Sequence, residues 1–195
     1  GASITCAYTA EGPDSGVFTF WPGSEGSVLS DLTINFTSAK RDSAAVFLTG
    51  TFGVADSTET TIEDVKFIGA NELENVGQES AIITASSAQG TVSVKNCSIT
   101  NFKYGMYFNN AKNLEVTGNT INGTLYNGIM VDTAVEGHDV KVNNNTLKNI
   151  SYANYNDAFY SSGISFGKTV TTKECIDNNI TMLNGKTGIY DQPVA

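Results

Sequence analysis

The feature that most constrains this chain is a short motif that returns along nearly all of its length. The motif reads apolar-x-apolar, two residues, then x-apolar. It stands as Val92-Ser-Val94-Lys-Asn-Cys97-Ser-Ile99, as Leu114-Glu-Val116-Thr-Gly-Asn119-Thr-Ile121 and as Val140-Lys-Val142-Asn-Asn-Asn145-Thr-Leu147. Looser copies are Leu29-Ser-Asp-Leu32-Thr-Ile34, Ile62-Glu-Asp-Val65-Lys-Phe67 and Cys175-Ile-Asp-Asn178-Asn-Ile180. Taking Leu32, Val65, Cys97, Asn119, Asn145 and Asn178 as equivalent gives steps of 33, 32, 22, 26 and 33 residues. Self-similarity at such periods is the mark of a solenoid.

A second motif, small-apolar-x-apolar, alternates with the first. Its clear copies are Gly105-Met-Tyr-Phe108, Gly128-Ile-Met-Val131 and Gly163-Ile-Ser-Phe166. Ala45-Val-Phe-Leu48, Ala81-Ile-Ile-Thr84, Gly16-Val17 and Gly188-Ile189 are read in the same register. The shortest step suits a coil of three short strands joined by bends, and longer steps put extra residues in outer loops. The expectation is an all-β chain: a right-handed, single-stranded parallel β-helix of about seven coils, on the order of 30 Å long at the usual strand spacing. One buried ladder would run Val17, Val46, Ile82, Met106, Ile129, Ile164, Ile189. Asn119, Asn145 and Asn178 would sit at bends, where Asn tolerates left-handed backbone and its amide can reach the next coil.

Two rivals fail. A leucine-rich repeat needs a steady period of about 20–29 residues. A β-sandwich needs Asn-Gly hairpins at short spacing, and Asn127-Gly128 lies inside the repeat. On the repeat pattern (for example Val142-Asn-Asn-Asn-Thr-Leu147) the chain resembles the pectin-lyase-like superfamily, which includes pectate lyases, polygalacturonases, phage tailspikes and many bacterial surface proteins. The resemblance covers nearly the whole chain and concerns fold, which does not by itself fix activity.

Composition narrows the partners. Eleven Lys plus Arg stand against twenty Asp plus Glu, a net charge of −9, and Arg41 is the one arginine. Nucleic-acid binding needs clustered cations, so nucleic acid is excluded as a partner. No apolar run approaches the ~20 residues that span a bilayer, so no membrane insertion is expected. The three cysteines lack CxxC spacing, which argues for buried thiols rather than a disulfide framework or zinc site. Residues 1–195 read as one β-helix domain. Strand-like Ile4-Thr-Cys6 at one end and Gly188-Ile189-Tyr190 near the other carry no visible polar cap. The expectation is a fragment of a larger exported protein, or a homo-oligomer or neighbouring domains covering the ends.

Catalytic candidates are scattered. The resemblance implies, for cleavage of acidic polysaccharides, a basic residue with acids that hold Ca²⁺. Lys40-Arg41-Asp42 is where this chain mixes the two, although a solvated loop explains it as well. For the polygalacturonase-like branch it implies several Asp and a Gly-His-Gly. Here Gly137-His138-Asp139 departs from that pattern, and the paired-Asp motif is missing. Asp132 and Asp157 are candidates for the two carboxyls such hydrolysis requires. Ca²⁺ is possible, but neither Asp56 with Glu59 nor Glu72 with Glu74 makes a motif. No other cofactor is expected. Asn-x-Ser/Thr sequons at Asn35, Asn96, Asn122, Asn144, Asn149 and Asn179 are read as bend chemistry.

One face is unusual. Strand residues alternate in and out. In the first motif the outward set is Ser93, Lys95, Glu115, Thr117, Lys141 and Asn143, a solvated polar face. In the second it is Phe18, Phe47, Ile83, Tyr107, Met130, Ser165 and Tyr190, with Asn109, Asp132 and Gln192 two residues further on. An aromatic row beside amides and acids suits sugar binding, since ring faces stack and polar groups read hydroxyls. Tyr152-Ala-Asn-Tyr155-Asn-Asp157-Ala-Phe-Tyr160 could wall the groove. Alternatively, loops 49–59 or 151–162 or a partner chain cover the row. Tyr107, Asn109, Met130, Asp132, Tyr155 and Tyr190 are the expected ligand-binding set. Two functions remain open: a non-catalytic glycan-binding or adhesive module of an exported, extracellular or cell-surface bacterial protein, or a polysaccharide lyase or glycoside hydrolase domain.

Overall fold

The computed structural model describes residues 1–6, 15–21, 23–24, 26–36, 43–49, 59–70, 80–84, 91–153 and 155–194. Every element among them is a strand, and every pairing is parallel. Each coil gives one strand to each of three sheets. Ala2–Cys6, Leu32–Phe36, Lys66–Ile68, Ser98–Phe102, Thr120–Thr124, Thr146–Ile150 and Asn179–Met182 form the first sheet. The second runs Ser15–Phe20, Ser43–Leu48, Ser80–Thr84, Tyr104–Phe108, Ile129–Val131, Ser162–Phe166 and Thr187–Asp191. Val28–Ser30, Glu59–Glu63, Thr91–Lys95, Leu114–Thr117, Val140–Asn143 and Lys173–Glu174 make the third. No described helix is long and apolar enough to cross a membrane.

The core follows from alternation. Ile34, Phe67, Ile99, Ile121 and Leu147 of the first sheet are fully buried. So are Val46, Ile82, Met106, Ile129 and Ile164 of the second, and Ile62, Val94, Val116 and Val142 of the third. The rows match the expected ladder except at its two ends. Phe18, not Val17, pairs with Val46. That one-residue slip puts Phe18 and Phe20 in the inward register, while Val17 stays partly buried against the core. Phe18 therefore leaves the outward row. Ile189 pairs with Ile164 as expected but is exposed.

Each bend from the third sheet to the first uses a left-handed residue. These are Asp31, Asp64, Asn96, Gly118, Asn144 and Asp177, with φ between 53° and 69°. They lie one position before the residues expected to carry that geometry. Asn119, Asn145 and Asn178 instead point inward and stack. The Asn119 amide donates to Asn145 Oδ1 at 3.0 Å, and the Asn145 amide to Asn178 Oδ1 at 3.0 Å. Each also donates to a backbone carbonyl: Asn119 to Val94, Asn145 to Val116 and Asn178 to Val142. Their carbonyl oxygens accept the backbone N–H of Cys97, Asn119 and Asn145. The ladder thus pairs the main-chain groups that each bend leaves over.

The small residues of the second motif lie where the first and second sheets approach. A Cβ on Gly163 would fall 2.5 Å from Ile180 Cγ2 and 2.6 Å from the Gly188 oxygen. We expect Gly163→Ala to destabilise the fold by about 1–3 kcal/mol through overpacking. A urea midpoint equal to that of the parent would refute this.

The outer third sheet is polar and ion-paired, with Lys95 Nζ 3.1 Å from Glu115 and 3.8 Å from Glu59. Ser93, expected in solvent, is buried in register between Thr61 and Glu115, whose longer side chains shade it. The three cysteines are free thiols.

Candidate functional site

The outer face of the second sheet is covered in part. Phe47, Met130 and Ser165 are buried, Met130 to 1% exposure. Met130 is thereby removed from the ligand-binding set. Beside Met130 and Ser165 run residues 151–153 and 155–161. The base of this segment is closed by Ser151 Oγ against Ser161 Oγ at 2.8 Å. Asn127 ties it to the sheet, its amide donating at 2.8 Å both to the Phe159 carbonyl and to Ser165 Oγ. Within the segment, the Asp157 carboxylate accepts the Phe159 N–H at 2.9 Å, which shapes the turn. Phe159 is buried, whereas Tyr152, Tyr155 and Tyr160 stand out from the surface.

Beside the covered strip, rings form a continuous row. Tyr107 stacks on Tyr104 at 5.6 Å, and Tyr104 meets Tyr126 at 5.3 Å. Tyr126 meets Tyr155 edge-on at 5.7 Å, and Tyr155 meets Tyr160 at 6.2 Å. Phe159 links Tyr160, at 5.1 Å, to Tyr190, at 6.3 Å. Lys103 Nζ lies 5.7 Å from the ring centres of Tyr104 and Tyr126. An open hollow beside the row is lined by Ala153, Tyr155, Asn156, Asp157 and Ala158.

The polar groups converge on the same rings. The Tyr107 hydroxyl donates to Asp132 Oδ2 at 3.1 Å. Burial first, then the Asp132 charge, push the Tyr107 phenol well above its ordinary range, while Asn109 pulls slightly the other way. Asn109 is fixed by its backbone N–H donating to Thr84 Oγ1 at 2.7 Å. The Tyr160 phenol is also raised, by burial and then by the carboxylates of Asp132 and Asp157. Both acids therefore act on one hydroxyl.

Tyr107, Asn109, Asp132, Tyr155 and Asp157 thus come together, and Tyr190 joins through Phe159. His138 instead lies with its Nδ1 3.2 Å from Asn113 Oδ1, in the turn entering the third sheet. Gln192 is occupied by the Lys168 N–H. Arg41, Asp42, Asp56, Glu72 and Glu74 lie outside the described residues. Among those described, no three His, Cys, Asp or Glu gather as a metal site. Sequence reasoning missed Tyr104 and Tyr126 as site residues, and placed Tyr160 only as part of the groove wall. Tyr104 and Tyr126 are one 22-residue step apart, the same as Cys97 to Asn119, which is the signal that could have found them.

Residues 26–191 match the family model of the right-handed β-helix region, and the chain belongs to that family. No curated protein and no solved structure matches it significantly.

Proposed function

We propose that this β-helix is a glycan-binding module of an exported protein, with its site on the tyrosine row from Tyr107 to Tyr160. The observation that carries the reading is the row itself. Four ring contacts link it end to end, and two more through Phe159 carry it on to Tyr190, with Asn109, Asp132 and Asp157 at its margin. Sugar faces stack on such rings while carboxylates and amides accept hydroxyls. An exported location follows from the ligand, since polysaccharides of this kind lie outside the cell.

Tyr155 tests it best because it is 49% exposed and its loss leaves the core intact. Tyr155→Ala should weaken polysaccharide binding about tenfold, or ~1.4 kcal/mol, measured by calorimetry across a polysaccharide panel. Unchanged affinity would remove the row from the site. A second reading is glycoside hydrolysis, which uses two carboxyls; Asp132 and Asp157 both lie near enough to Tyr160 to raise its phenol. Release of reducing ends during the same assay, lost in Asp132→Asn, would replace the binding module with an enzyme.

A further inference from the structure

We infer that the glycan taken by this site carries positive charge, as a polymer of amino sugars with free amines does, and that uronic-acid polymers are rejected. This rests on the glycan-binding reading above and adds the chemical class of the ligand.

Four observations support it. Tyrosine faces attract ammonium groups through the ring quadrupole, and Lys103 already rests over two rings of this row, Tyr104 and Tyr126, at 5.7 Å each. The hollow is lined by both Asp157 and the half-exposed Tyr155. A sugar stacked on Tyr155 would therefore hold an amine within reach of a carboxylate and a ring face together. Asp132, anchored by the Tyr107 hydroxyl at 3.1 Å, supplies the second negative charge along the row. The net charge of −9 adds a long-range field of the same sign. A polyuronate would have to bring its carboxylates against Asp157, which is exposed, and Asp132, which is half-buried, while Lys103 sits over Tyr104 and Tyr126.

Oligomers of glucosamine, N-acetylglucosamine and galacturonic acid, matched in length, test this at low and high salt. The glucosamine oligomer should bind at least tenfold tighter than the neutral one, with an advantage that shrinks as salt screens the charges. Galacturonate should not bind. Asp157→Asn should erase most of the advantage while leaving the fold unchanged, because asparagine still accepts the Phe159 N–H. Equal binding of the charged and neutral oligomers, or an unchanged preference in Asp157→Asn, would overturn the charge assignment and leave the glycan site standing. Failure of all three to bind would overturn both.

Discussion

Asn145→Ala should destabilise the solenoid by about 3–5 kcal/mol, because several buried polar groups lose their partners at once and each orphan costs roughly 1–3 kcal/mol. The Asn145 carbonyl accepts from the Asn119 backbone N–H and from its side-chain amide. Its own amide serves the Val116 carbonyl and Asn178 Oδ1. Alanine removes all four bonds and leaves a dry interior in which water cannot replace them. The neighbour is the control. Asn144 is exposed, with φ of 56°, so Asn144→Ala should cost only the left-handed penalty of about 1–2 kcal/mol. Asn144→Gly should be close to neutral. Urea unfolding of the three variants measures the contrast, and similar costs for Asn144→Ala and Asn145→Ala would refute the ladder's role.

That contrast also marks how much of the fold is legible in the sequence. The equivalence of Leu32, Val65, Cys97, Asn119, Asn145 and Asn178 holds in the parallel register. It was readable because turns between the third and first sheets are short and invariant in length, so spacing transmits register. What spacing could not show is which of two adjacent asparagines turns left-handed and which turns inward. Both choices satisfy the composition of Asn144-Asn145, and only the backbone path between sheets separates them. The first coil failed for a related reason. Gly16 resembles the small residue of the later copies, yet it pairs with Ala44 rather than Ala45, because burial of Phe18 and Phe20 decides the register.

The site was legible where it depends on alternation and illegible where it depends on a loop. The neighbouring placement of Tyr107, Asn109 and Asp132 is readable because each occupies a fixed place on or after a strand. Met130 has the same alternation signal, but the 151–161 segment is tied down beside it by Asn127. Nothing in Asn127-Gly128 announces an anchor for a loop more than 20 residues later. Tyr104 and Tyr126 sit at the corner entering the second sheet, where strand periodicity says nothing of direction. The row they complete with Tyr155 arises only when coil stacking and the loop meet.

Raising the pH above about 9 should destabilise the protein steadily, and Cys97 should be the main cause. Its thiol is 1% exposed, and burial, aided by the charges of Asp64 and Glu63, pushes it up from an ordinary value near 9 to about 12. Between those values the unfolded chain has released a proton that the folded chain retains. Stability is therefore intact below the unfolded value and falls as pH climbs toward the folded one, by about 1.4 kcal/mol per pH unit. Tyr107, raised by burial and by Asp132, adds to the fall in the same direction once pH passes its ordinary value near 10. Cys97→Ser isolates the thiol. Serine keeps a hydroxyl donor for the Ile62 and Lys95 carbonyls that the thiol now faces at 3.6 and 3.4 Å, but it does not titrate in this window. Unfolding free energy measured in urea from pH 8 to 10.5 should fall more shallowly in the variant, by nearly one proton's slope. Parallel slopes would mean that Cys97 ionises as readily inside the fold as outside it, which a thiol sealed beneath the Asn119 ladder cannot do.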